Sequence, residues 1–119
     1  MHEDLQALFN EVILHRDCSI VSGLRTQEEQ QALYAKGRTA PGPIVTYKDG
    51  IQRRSRHQSG DAVDVIPWPE KWDADALKEF GNFVLGIATM MKKYGKIKHD
   101  VEWGGHWDKF VDMPHWEIK

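Results

Sequence analysis

Ser55-Arg56-His57-Gln58-Ser59-Gly60-Asp61-Ala62-Val63-Asp64-Val65-Ile66 carries a histidine, a glycine turn and then a strict alternation of residue types. Alternation predicts a strand, because successive side chains leave opposite faces of an extended chain. Over 61–66 it puts Ala62, Asp64 and Ile66 on one face and Asp61, Val63 and Val65 on the other. Asp64 is then held on a rigid element, seven positions after His57. Pro67 and Pro69 end the strand, since proline has no N–H to give to a sheet ladder.

Upstream, Leu5, Leu8, Phe9, Val12 and Ile13 recur at helical spacing and predict a first helix reaching about His15. Ser19-Ile20-Val21-Ser22 is short and β-prone. Gly23-Leu24-Arg25 leads into Thr26, whose spacing to Glu29 is that of a capping box; the second helix it opens should stop near Lys36-Gly37. From 37 to 54 the chain carries Gly37, Pro41, Gly42, Pro43 and Gly50 with little periodicity, which predicts a long surface loop with a short strand over 44–47. Downstream, an acidic start at Asp73 or Asp75 precedes Leu77, Phe80, Val84, Ile87 and Met91, the stripe of the longest helix, running to Tyr94 with Gly95 behind it. Two β-like pieces follow over 97–103 and 115–118, separated by the turn-rich Gly104-Gly105-His106-Trp107-Asp108. This order does not alternate as a doubly wound parallel sheet would. It predicts an α+β fold: a small, mostly antiparallel sheet with helices packed on one side and a groove on the other.

At 119 residues the chain suits one domain spanning 1–119, expected to be a monomer. Lys and Arg number 16 against 18 Asp and Glu, so no global basic field draws it to nucleic acid. No apolar run reaches the roughly 20 residues of a membrane helix, and no membrane insertion is expected. Cys18 stands alone, which excludes an intramolecular disulfide. Met1-His2-Glu3-Asp4-Leu5 is acidic where a Sec-type signal would be basic, so none is expected.

The chain closes on Asp112-Met113-Pro114-His115-Trp116-Glu117. His57, Asp64 and His115 together offer two imidazoles and a carboxylate, the donor set of a catalytic zinc site that keeps one position open. Asp112, three residues before His115, has the placing of a general base that takes a proton from water and returns it to a leaving amine. Arg25 is either a cation for a developing oxyanion or a surface arginine capping carbonyls. Each histidine alone is more simply a solvated or hydrogen-bonded residue; it is the combination that points to a metal. His2, His15 and His99 are weaker competitors, and His106 in its glycine-rich turn is the serious rival ligand. Glu117 falls on the side of its strand that carries His115, and either orients that ligand or is a solvated edge residue. Trp116 is assigned to the core, whereas Trp103 and Trp107 fit either a core or a groove. Lys36, Arg38, Arg53, Arg54 and Arg56 form a basic stretch that either attracts an anionic polymer or is a solvated face.

Several blocks in order resemble the zinc D-alanyl-D-alanine carboxypeptidase and L-alanyl-D-glutamate peptidase family, in particular the short endolysins of bacteriophages. The blocks are Ser22-Gly23-Leu24-Arg25-Thr26 with Gln30 and Leu33 to Thr39, then Ser55 to Asp64, Trp103-Gly104-Gly105, and Asp112 to Glu117. The resemblance implies a Hedgehog-like peptidase fold, one zinc on His57, Asp64 and His115, Asp112 as base, and Arg25 stabilising substrate or transition state. It implies cleavage of the L-alanyl-D-glutamate bond of the peptidoglycan stem peptide. D-alanyl-D-alanine carboxypeptidase activity is the nearest alternative, and a non-catalytic zinc-stabilised wall-binding module a more distant one. No separate wall-binding domain is expected. The implied route is that of a lysin held in the host cytoplasm until it is released to the periplasm and cell wall.

Overall fold

The computed structural model describes residues 1–68, 73–108 and 111–119; Pro69, expected to help end a strand, lies outside them. The elements are α1 (Glu3–Ile13), β1 (Cys18–Ser22), α2 (Gln27–Ala35), β2 (Ala62–Pro67), α3 (Ala74–Lys93), β3 (Val101–Trp103), a 3-10 turn (Gly104–His106) and β4 (His115–Ile118). The strands form one sheet in the order β1-β2-β4-β3, with every neighbouring pair antiparallel. The α+β class and the antiparallel sheet are as expected.

Register decides what each face carries, because residues directly opposite across a ladder share a face. Val63 pairs with Trp116, and Trp116 with Trp103; these side chains join Val65 and Ile118 in the core, covered by Leu5, Leu8 and Val12 of α1 and Phe80 and Val84 of α3. Trp103 and Trp116 stack with ring centroids 5.7 Å apart. Asp64 pairs with His115, and Ala62 with Glu117, on the opposite face. Asp64 is the only residue of β2 that is not buried, so the strand's single charge lies where the groove opens.

The helices start as their caps dictate. Thr26 and Glu29 form the reciprocal capping box of α2, and Asp73 accepts the Ala76 N–H at the start of α3. Gly95, at φ 73°, follows the end of α3. Other boundaries differ from the sequence reading. α1 stops at Ile13, and the expected strand over 97–103 shrinks to Val101–Trp103. The N–H groups of Lys98 and His99 both donate to Asp4 Oδ2 at 2.9 Å, which takes them from any ladder. No strand forms over 44–47. That segment is fastened by side chains instead: Gln30 Nε2 donates to the Lys48 carbonyl and Gln58 Nε2 to the Gly50 carbonyl, while Asp49 Oδ1 accepts the N–H groups of Ile51, Gln52 and Arg53.

Candidate metal centre

The turn before β2, the strand itself and β4 bring three side chains to one point. His57 Nε2 lies 3.3 Å from Asp64 Oδ1, His115 Nδ1 lies 3.2 Å from the same oxygen, and the two nitrogens are 3.2 Å apart. The triangle is nearly equilateral. A tetrahedral ion with ligand bonds of about 2.0 Å has ligand-to-ligand edges of about 3.3 Å, so the three atoms fit one face of such a polyhedron.

The outer hydrogen bonds say which atoms carry lone pairs. His57 Nδ1 is 2.9 Å from the Gly23 carbonyl, which can only accept, so Nδ1 is the N–H and Nε2 of the neutral ring is bare. His115 Nε2 is 2.8 Å from Glu117 Oε1, which leaves Nδ1 bare in the same way. Asp64 Oδ1 is buried without a hydrogen-bond partner. Three lone pairs thus converge in a buried place, an arrangement that a cation relieves.

A second His-Asp-His group provides a contrast. His2, Asp4 and His99 also stand close together. There His2 Nδ1 accepts the Asp4 N–H as the helix cap, and Asp4 Oδ2 accepts two backbone N–H groups and His99 Nδ1. Those lone pairs already face protons. The group fastens α1 to the 98–99 turn and does not present a bare donor set.

Charge at the centre is tuned by its neighbours. Burial works against ionising Asp64, but the His115 and His57 rings beside it outweigh it and hold the carboxyl well below the usual range. Burial likewise opposes charge on His115, yet Asp64 and Glu117 push its pKa up to about 9. Asp112 is shifted upward, by burial first and then by the charge of Asp64, as suits a group that must exchange a proton. Its Oδ2 lies 3.8 Å from His115 Nδ1, near the triangle but outside bonding distance. Gly104 makes that approach possible: it accepts the Asp112 N–H at 3.0 Å, and a Cβ on Gly104 would overlap the Asp112 carbonyl.

Arg25 comes from the other side, through an irregularity in β1. Cys18, Ser19 and Ile20 face Pro67, Ile66 and Val65, and then the register slips so that Ser22 rather than Val21 faces Asp64. A bulge of this kind re-aims a side chain beside a site. Ser22 Oγ accepts from Arg25 Nε and Nη2 at 3.2 and 3.1 Å, and Nη2 stands 3.5 Å from Asp64 Oδ2.

The structure therefore gathers His57, Asp64, His115, Asp112 and Arg25 around one cavity of about 610 Å³. His106 is not among them; it is exposed, its ring against Trp103. Trp103 proves to be core, while Trp107 lines the cavity with its ring centroid 4.9 Å from that of His115. Glu117 holds His115, as one of its two readings had it. Of the basic stretch, Arg56 reaches the cavity, with its Nε 3.8 Å from Glu117 Oε2. Sequence reasoning gave no role to Ser22, the Gly23 carbonyl or Gln30. For Gln30 a signal existed: it stands three and four residues before Leu33 and Tyr34, on the inner stripe of α2.

Fold and site together define an antiparallel α+β domain with a candidate metal centre in its groove. The chain belongs to the D-alanyl-D-alanine carboxypeptidase family, whose model matches residues 49–118, a span holding every gathered residue except Arg25. It is 34% identical over 110 residues to the peptidoglycan L-alanyl-D-glutamate endopeptidase CwlK of Bacillus subtilis (strain 168), covering 86% of this chain and 60% of CwlK. The chain thus spans less than two thirds of that relative's length. The crystal structure of the Serratia marcescens L-Ala D-Glu endopeptidase ChiX superposes with a TM-score of 0.74 at 25% identity, covering all of this chain and 80% of ChiX. A mutant of the vancomycin-resistance D,D-pentapeptidase VanY in complex with Zn(II) shares the fold at a TM-score of 0.54 and 15% identity, covering 98% of this chain and 68% of VanY.

Proposed function

We propose that this chain is a zinc peptidase that hydrolyses the L-alanyl-D-glutamate bond of the peptidoglycan stem peptide. The observation that carries the reading is the convergence of three bare donors on His57, Asp64 and His115, with a carboxylate of raised pKa beside them. Two relatives support the bond: CwlK and ChiX are both L-alanyl-D-glutamate endopeptidases by name, and ChiX superposes better than VanY.

His57, Asp64 and His115 would hold the zinc ion, with Gly23 and Glu117 fixing the two rings. Bound there, zinc supplies Lewis acidity, which polarises a carbonyl and makes water acidic enough to react near neutral pH. Asp112 takes a proton from the attacking water and delivers it to the leaving amine, the two services that amide hydrolysis requires. Arg25 turns positive charge toward the cavity, where negative charge develops on the substrate oxygen. In this reading residues 1–119 work as one monomeric domain. The motif blocks that resemble those of short phage lysins support use as an endolysin, held in the host cytoplasm and released to the wall. Co-expression with a membrane pore tests that role: lysis of the host is expected only when both are present.

Digestion of purified peptidoglycan, with and without a chelator, tests bond and metal together. New N-terminal D-glutamate that disappears on chelation is the expected result. Release of free D-alanine instead would assign the carboxypeptidase activity, and no product under any metal would leave a wall-binding module.

A further inference from the structure

Gln30 is the only residue of α2 that is buried, and it is completely so. A buried carboxamide is costly unless its oxygen and nitrogen both find partners. Here Oε1 accepts Arg25 Nη1 at 2.9 Å, while Nε2 donates to the Lys48 carbonyl at 2.7 Å and to Thr46 Oγ1 at 3.3 Å. The orientation is fixed by chemistry, since a guanidinium only donates and a carbonyl only accepts. An amide serves both sides, whereas a glutamate has no donor for the carbonyl and a cation has no acceptor for the arginine. Gly50 closes the contact from beyond, where a Cβ would stand 3.1 Å from Gln30 Cβ and Cγ.

Arg25 has five N–H bonds. Nε and Nη2 bond Ser22, Nη2 also faces Asp64, and Nη1 bonds Gln30. Nη1 carries a second N–H in the same plane. Gln30 fixes the direction of its partner on the same nitrogen and so fixes where this last donor points. The segment it grips at the other end is part of the cavity wall, through Thr46, Tyr47 and Lys48.

We propose that Gln30 is a positioning residue that locks the Arg25 guanidinium and the 46–50 rim into one unit, so that a substrate seated against the rim meets an arginine already aimed. The catalytic part of this inference rests on the hydrolytic reading above; the locking does not. The test uses the full chain labelled with 15N-arginine, the Arg25 signals being assigned through Arg25→Lys. In the wild type, rotation about the Arg25 Cζ–Nη1 bond is expected to be slow, giving separate signals. In Gln30→Leu the signals should merge, and amide exchange at Lys48 and Gly50 should accelerate. Gln30→Glu keeps an acceptor for Arg25 but loses both donors, so it should free the rim while leaving Arg25 locked. It also serves if the leucine variant does not fold. An unchanged Arg25 signal in folded Gln30→Leu, or a merged one in Gln30→Glu, overturns the inference. Where stem-peptide hydrolysis is measurable, Gln30→Leu should lower kcat about 10- to 100-fold. It should add little to Arg25→Ala, whereas a purely structural role would multiply the two losses. A wild type without hydrolysis defeats the functional reading alone, and the arginine signals still decide the lock.

Discussion

His115 holds its two ring nitrogens to different tasks: Nε2 donates to Glu117 at 2.8 Å, while Nδ1 faces Asp64 at 3.2 Å. In the metal-free protein a proton on Nδ1 is the next best relief for the crowded lone pairs, which is why the pKa of this ring is pushed up to about 9. A cation and that proton compete for one site. Zinc uptake at pH 7 is therefore expected to release a proton, with affinity rising about tenfold per pH unit toward 9. Calorimetry in two buffers of different ionisation enthalpy reads the release; equal apparent heats in both would contradict it. Asp112, with its Oδ2 3.8 Å from His115 Nδ1, adds to this competition through its charge and not through a bond to that ring. Asp112→Ala should leave bound zinc unchanged by elemental analysis while hydrolysis drops by about 10²–10⁴. Retained activity would remove Asp112 from the reaction, and lost zinc would make it a ligand.

At the scale of elements, α3 reaches the sheet because it carries glycine where the sheet carries tryptophan. A Cβ on Gly81 would overlap the Trp103 ring, and that ring stacks on Trp116, the β4 neighbour of His115. Gly81→Ala favours the helix locally but overpacks this contact, and overpacking costs about 1–3 kcal/mol. Urea unfolding is expected to show a net loss of stability, and a stabilised variant would mean that the ring moves aside freely. The sequence makes such elements legible through local pattern: the alternation at 62–66, the Thr26–Glu29 capping box and the stripe from Leu77 to Met91 each state their own structure. The candidate trio His57, Asp64 and His115, and Asp112 beside it, stand out for a related reason, since they are chemically distinctive residues close to strands. What sequence could not show depends on a partner. The bulge that turns Ser22 toward Asp64 exists only in the pairing of β1 with β2. The shortening of β3 depends on Asp4, 94 positions from Lys98. For Gln30 the sequence shows the inner stripe but not the partners, which appear only once the 46–50 rim lies on it.

Across the whole molecule, Asp4 joins the first helix to the turn that leads into β3. Its Oδ2 accepts the N–H groups of Lys98 and His99 at 2.9 Å and faces His99 Nδ1 at 2.8 Å. Burial alone would raise the pKa of this carboxyl, but the hydrogen bonds from the His99 ring and the two backbone groups prevail, and the net shift is downward. A carboxylate whose folded pKa lies below its unfolded value of about 3.9 stabilises the fold fully above that value, and loses the effect as pH falls through the folded one. Asp4→Ala removes both the charge and the acceptor, and is expected to cost about 1–3 kcal/mol at pH 7. The gap from wild type should narrow below pH 4, as protonation of Asp4 weakens the wild-type contact. Urea unfolding of both proteins with chelator present, at pH 7, 5 and 3, separates this effect from zinc. A gap as wide at pH 3 as at pH 7 would show that Asp4 acts through packing rather than through its charge.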